Sequence, residues 1–230
     1  MGHHKISRFI SRLTESPSPD DVFNPWGDVD EDNDMGPQSP DIRRKHLRHF
    51  LEFRLETVKH LIIGEAVGYQ GGHFSGIPMT SERILLGFQK ERGIHPEDIL
   101  PGLKPRRTSK SDRMPLGFSE PTATIVWGTI LNSGSKPDRF VVWNAFPWHP
   151  YDPEKGMLSN RKPKTKEMVR CMSILKTFVN LFPDTTVIAM GKVAEEWLGR
   201  LGIRCHPVRH PARGGAKAFR RQFLSLLKKK

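Results

Sequence analysis

The sequence predicts an α/β protein with a central, mostly parallel four-stranded sheet covered by helices on both faces. Three observations point there. Four short apolar runs, at 60–64, 139–145, 185–190 and 203–208, have the length of strands, and segments with helical spacing of apolar residues lie between them. Strands that alternate with helices pair in parallel, because each crossover returns the chain to the same end of the sheet. The 230 residues carry 36% apolar side chains, with 13 Phe and 5 Trp, which is enough to fill one core.

The elements follow in order. The start, with His3, His4, Lys5, Arg8 and Arg12, is weakly amphipathic and basic and lacks the apolar stretch of a secretory signal. Residues 14–41 contain no Lys or Arg. Asp20, Asp21, Asp28, Asp30, Glu31, Asp32 and Asp34 crowd there among five prolines. Residues 1–41 therefore read as an irregular, acidic, Pro-rich segment, and 42–230 as the folded domain. Phe23, Pro25 and Trp26 are the residues able to pin the segment down; its charge reads as a solvated tail. Leu47, Phe50, Leu51 and Leu55 set a helix over 42–57, followed by the first strand, 60–64. A helix is expected over 81–90, a polar loop with Lys104, Arg106, Arg107, Lys110 and Arg113 over 101–113, and a helix over 121–132. The second strand, 139–145, leads into a Pro-rich loop at 147–163 and a helix at 165–181. The third strand, 185–190, precedes a helix at 191–201, and the fourth, 203–208, precedes a closing helix at 211–227. No internal repeat is visible.

Composition excludes several classes. No apolar run approaches the ~20 residues of a membrane span. Cys171 and Cys205 supply neither a disulfide framework nor a four-cysteine metal or iron–sulfur site. A reducing, intracellular compartment, a monomeric state and no cofactor are expected. Lys and Arg total 37 against 25 Asp and Glu, a net charge of +12, which favours a polyanionic partner.

Ligands of parallel sheets bind beyond the carboxyl ends of the strands, which brings three loops together. The first is Gly64-Glu65-Ala66-Val67-Gly68-Tyr69-Gln70-Gly71-Gly72. Its glycines let the backbone approach a ligand, and Glu65 stands where a carboxylate does acid/base work or forms a structural ion pair. It has neither a phosphate-loop lysine nor a dinucleotide fingerprint. The second begins at Asn144, whose amide offers a donor and an acceptor to a base edge, or caps a turn. Phe146 and Trp148 beside Arg161 and Lys162 suit stacking with phosphate contact, although Trp148 equally suits a core. The third, Arg209-His210-Pro211-Ala212-Arg213-Gly214-Gly215, places His210 before a helix, where it can donate to developing charge. Beyond Glu196 there is no acid, while Arg209, Arg213, Lys217, Arg220, Arg221, Lys228, Lys229 and Lys230 follow, a suitable phosphate-docking surface.

In this order the three loops resemble those of the uracil-DNA glycosylase superfamily, most closely its family 4-like members. The matching motifs are Gly64-Glu65-Ala66-Val67-Gly68, Gly76-Ile77-Pro78-Met79, Asn144, Ser159-Asn160-Arg161-Lys162-Pro163 and Arg209-His210-Pro211-Ala212, over about 58–225. The resemblance implies a three-layer α/β/α sandwich and a DNA glycosylase that flips a nucleotide out of the helix, acting on DNA in the cell interior, at the nucleoid. In its terms His210, Asn144 and Glu65 are catalytic: His210 donates to the departing base, Asn144 binds the base edge, and Glu65 orients the attacking water. Gly64, Ala66, Gly68, Tyr69 and Met79 join Asn144 in holding the base. Arg161, Arg209, Arg213, Gly214, Gly215, Lys217 and Arg220 hold the DNA.

Departures from the pattern bear on activity and substrate. Val67 replaces a proline, Ala66 stands where some relatives place a catalytic Asp, and Met79 replaces a stacking Phe. The cysteines of an iron–sulfur cluster are missing, and Gly68 stands where strict uracil enzymes carry a Tyr that blocks a 5-methyl group. Uracil or a related damaged pyrimidine is the expected base. A bulky modified base, such as the modified cytosine of phage DNA in a defence role, and a DNA-binding module without chemistry are the alternatives.

Overall fold

A computed structural model describes residues 2–15 and 21–228; Asp20, Lys229 and Lys230, which belong to the charge runs above, lie outside them. In chain order the elements are α1 (Gly2–Glu15), β1 (Val22–Phe23), α2 (Ser39–Phe53), β2 (His60–Ala66), α3 (Gly72–Ser75), α4 (Glu82–Leu85), α5 (Pro96–Ile99) and α6 (Pro121–Leu131). They continue with β3 (Phe140–Phe146), β4 (His149–Pro150), α7 (Thr165–Val179), β5 (Thr186–Met190), α8 (Lys192–Arg200), β6 (His206–Val208) and α9 (Ala216–Leu227). The main sheet has the order β3-β2-β5-β6, and each of its pairings is parallel. The α/β class and the four strands are as the alternation of apolar runs implies.

Period two along β3 builds the layers. Trp143 points to one face, where it stacks on Phe178 of α7 at 4.5 Å and meets Phe9 of α1 edge-on at 5.5 Å. Phe140 points to the other, 5.8 Å from Phe223 of α9. Arg54, fully buried, donates to the carbonyls of Phe140, Phe50, Ile99 and Asp98 and so satisfies carbonyls in the last turns of α2 and α5 and at the start of β3.

The N-terminal segment differs from the irregular, solvated chain expected of it. Ile6, Phe9, Ile10 and Leu13 recur at helical spacing and are all buried, so α1 is a core helix. The prolines do keep 21–37 out of helix, yet this stretch is built into the body. Trp26 is fully buried, donates from Nε1 to the Gly76 carbonyl at 3.1 Å and stacks on Trp143. Its acids are not all solvated: Asp34 pairs with Arg43 at 2.7 Å, both side chains fully buried. The strand β1 pairs antiparallel with β4, Phe23 against His149.

Three boundaries move for local reasons. The helix expected over 81–90 is cut to α4 because Gly87 takes φ +81°. The closing helix starts at Ala216, since Arg213 and Gly214 adopt left-handed φ of 52° and 74°. The first strand runs on to Ala66, which pairs with Phe146, so Glu65 sits on a strand rather than in a free loop. Among the described residues no helix is long and apolar enough to cross a membrane.

Because Phe9 is buried between Trp143 and Phe178, Phe9→Ala should destabilise the protein by about 3–5 kcal/mol, read as a lowered urea midpoint. A tail-like α1 would leave the midpoint unmoved.

Candidate active site

Parallel pairing sets Gly64 of β2 beside Asn144 of β3 at the carboxyl end of the sheet. A Cβ on Gly64 would lie 2.5 Å from Asn144 Oδ1, 3.2 Å from Met79 Sδ and 3.5 Å from Met190 Cε. The missing side chain thus makes room for the Asn144 carboxamide, with two thioethers beside it. Met79 holds this position with a left-handed φ of 51°, a conformation disfavoured for a non-glycine residue. Asn144 is 2% exposed, and its Nδ2 has no hydrogen-bond partner among the described residues. A buried donor left unpaired costs roughly 1–3 kcal/mol, so this amide is set to donate to something that binds.

Next to this pair opens a cleft of about 560 Å³ lined by Glu65, Asn160, Arg161, Lys162, Met190, Gly191, Lys192, Val193, Arg209, His210, Ala212 and Arg213. Met190 belongs to both the cleft wall and the surroundings of Gly64, which makes the two spaces neighbours. Glu65 is the only acid of this lining. Burial pushes its carboxyl above the ordinary range, and the charges of Lys162 and Arg213 pull it back.

His210 is packed against Gly191, where a Cβ would come within 3.3 Å of the His210 Cβ. Its Nδ1 accepts from the Ala212 N–H at 3.1 Å, so the neutral ring carries its proton on Nε2. Burial, then the neighbouring Arg209 charge, lowers its pKa and favours this neutral donor. Gly215 is required behind it, because a Cβ there would run into the His210 carbonyl.

The structure brings Gly64, Glu65, Met79, Asn144, Arg209, His210 and Arg213 of the expected set to one end of the sheet. Tyr69 is half-buried, edge-on to Phe118 at 6.2 Å, and its N–H donates to Asn160 Oδ1 at 3.1 Å. Gly68 faces the same Asn160 oxygen, 3.2 Å from where its Cβ would be. Beyond Ala66, the Val67 N–H is taken by the Trp148 carbonyl. Arg161 reaches the cleft, but its guanidinium is bound to both Glu167 oxygens and to Asp21, which makes it an anchor for the loop. Phe146 and Trp148 are core residues, not an exposed stacking platform. Lys217 is exposed on α9, and Arg220 lines a separate depression with Arg92 and Leu224. Gly214 forms the exposed turn after Arg213.

Sequence reasoning missed Met190, Gly191 and Lys192. The signal was present: a strand ending in Gly before a helix places a helix N-terminus, rich in free N–H groups, at the ligand end of the sheet. Cys171 is buried with its thiol pushed up to about 12, and Cys205 stands before β6; two such thiols do not furnish the four ligands of an iron–sulfur cluster.

The chain belongs to the uracil DNA glycosylase superfamily, whose family model matches residues 52–228. Members of this superfamily are DNA glycosylases. No curated protein matches the sequence. Among solved structures, the chain is similar to the crystal structure of wild-type SMUG2 from Pedobacter heparinus, with a TM-score of 0.62 and 16% identity, covering 99% of this chain and 97% of that one. At that identity the likeness shows the fold.

Gly64→Ala should force Asn144 from its place and destabilise the protein by about 1–3 kcal/mol, the usual cost of overpacking. The check is the shift in thermal midpoint, together with a crystal structure of the variant; an unmoved Asn144 would contradict the assigned contact.

Proposed function

We propose that this protein is a monofunctional DNA glycosylase that hydrolyses the N-glycosidic bond of uracil, or of a closely related pyrimidine, in DNA. The observation that carries the reading is the buried, unpaired Nδ2 of Asn144, held beside a cationic cleft that contains one carboxylate and one neutral imidazole donor. A pyrimidine carbonyl supplies the acceptor that this amide lacks, and its N3–H supplies a donor for Oδ1.

The chemistry follows from the charges. The base is flipped out of the stack into the pocket. The C1′–N1 bond breaks, its electron pair passes to the base, and the sugar becomes oxocarbenium-like. The Nε2–H of His210 donates to the base oxygen on which charge grows, and needs no proton from solution to do so. Glu65, in its anionic form, orients a water toward C1′ and takes its proton as the new C–O bond forms. The released base anion then takes up a proton and Glu65 gives up the one it took from water, so the products are the free base and an abasic site. Lys162, Lys192, Arg209 and Arg213 hold the phosphates around the flipped nucleotide, with the N-terminus of α8 supplying N–H donors.

The test is base release from single- and double-stranded oligonucleotides carrying uracil, hypoxanthine, 5-hydroxymethyluracil, or 5-hydroxymethylcytosine with and without glucose, read by mass spectrometry. Uracil is the expected product. Release of a 5-substituted base alone would assign the pocket to a larger substrate. Salt-sensitive DNA binding without release from any of them would overturn the enzymatic reading.

With a cleavable base, Asn144→Ala and His210→Ala should each lower kcat by about 10²–10³-fold, the usual loss of one pre-aimed donor. Glu65 acts as an anion, so activity should rise with pH through its raised pKa, with the acid limb above that of an ordinary glutamate. Lys162→Gln removes a charge that holds this pKa down and should move the limb to higher pH, more so at low salt. An acid limb unaffected by Lys162→Gln would remove Glu65 from the role.

A further inference from the structure

A chain of buried polar groups runs from the N-terminal segment into both site loops. Asp30 Oδ2 lies 3.1 Å from His73 Nε2, His73 Nδ1 lies 2.9 Å from His149 Nδ1, and His149 Nε2 lies 2.7 Å from the Ser159 carbonyl. Asp30, His73 and His149 are 3%, 0% and 0% exposed. Phe23 stacks on His73 at 4.0 Å, and the charges nearest the chain, Asp34 and Arg43, are paired with each other. Asn33 Nδ2 donates to both Asp30 oxygens.

The contacts, together with burial, set where the protons are. The Ser159 carbonyl only accepts, so His149 Nε2 is protonated. Burial pushes the His149 pKa down to about 3, so the ring is neutral and its Nδ1 is a bare acceptor. His73 Nδ1 must then donate to it. A carboxylate also only accepts, so one further proton is held between His73 Nε2 and Asp30 Oδ2, as an ion pair or as a neutral acid–imidazole pair. The reverse order, with His149 doubly protonated and His73 Nδ1 accepting, meets the same contacts, and the deep burial of His149 is what disfavours it.

The chain also has an address. His73 is the second residue of α3, directly after the Gly-rich loop, His149 opens β4 just beyond the end of β3, and Ser159 precedes Asn160. Asn160 in turn accepts from the Tyr69 N–H of the first loop. The matched family region begins at residue 52, so Asp30 comes from outside it.

We propose that Asp30, His73 and His149 are positioning residues for the base-release site: their ordered protons hold the loop at 64–72 against the turn at 159–160, and Asp30 makes the N-terminal segment a working part of the site. The proposal rests on the function argued above. Its test separates the two.

In the full-length protein, ring-nitrogen NMR should show protons on His73 Nδ1 and His149 Nε2, a bare His149 Nδ1, and coupling across the His73–His149 hydrogen bond. A proton on His149 Nδ1, or no coupling, would overturn the proton order. Asp30→Asn keeps a donor for His73 Nε2, so its single-turnover rate should stay within about threefold of wild type. Asp30→Ala leaves His73 without its partner and should lose about 10–100-fold in that rate, the scale of a small misplacement, with little change in oligonucleotide Kd. The Tyr69 amide should exchange faster in Asp30→Ala and not in Asp30→Asn. Unchanged rate and unchanged Tyr69 exchange in Asp30→Ala would sink the positioning role. If Asp30→Ala does not fold, the Asp30→Asn rate and the wild-type ring shifts decide. If the wild type releases no base from any oligonucleotide, the proposed function fails, while ring shifts and Tyr69 exchange still judge the chain.

Discussion

The side chain of Asn144 rests on the bare Cα of Gly64, and the rest of the site is arranged around that contact. It exists because two neighbouring strands are parallel and in a register that pairs those two positions. An antiparallel partner would put its strand end at the opposite edge of the sheet. Any side chain at 64 would take the volume of the carboxamide. Met79 and Met190 complete the surroundings with flexible, polarisable groups, which adapt to a ring more readily than an aromatic wall does.

Electrostatics then acts in opposite directions on Glu65 and His210. The same burial raises a carboxyl pKa and lowers an imidazole pKa. Glu65 is drawn back toward its anionic form by Lys162 and Arg213, while His210 is kept neutral by burial and by Arg209. The cations of the cleft therefore act, after burial, on the protonation of both groups. The hydrogen bond from Ala212 chooses the tautomer, so backbone geometry decides which ring nitrogen of neutral His210 carries the proton.

The N-terminal segment shows how charged residues become structure. Asp34 is buried because Arg43 meets it, and Asp21 is held by Arg161 and Lys164. Breaking one partner of the buried Asp34–Arg43 pair would leave an uncompensated charge, so this contact ties the segment to α2. Arg161 illustrates the cost to a simple reading of charge: a cation that resembles a phosphate contact in the sequence is already saturated by Glu167 and Asp21 in the fold.

By itself the sequence determined what depends on local spacing. Period and length marked the four strands, and the position of each loop after a strand marked Gly64, Glu65, Asn144 and His210 as neighbours, because parallel strands deliver their ends to one edge. The motifs also carried the resemblance to the superfamily that the family match establishes. Helical spacing of Ile6, Phe9, Ile10 and Leu13 was legible as well, but the acids and prolines that follow outweighed it. Only the tertiary structure decided the fate of polar groups: that Arg161 is an anchor, that Arg220 faces a different depression, that Trp148 is core, and that Asp30 reaches His73 forty-three positions on. The physical reason is that burial and pairing are set by segments far apart in the chain, and a charge or a donor has no fixed role until its partner is in place.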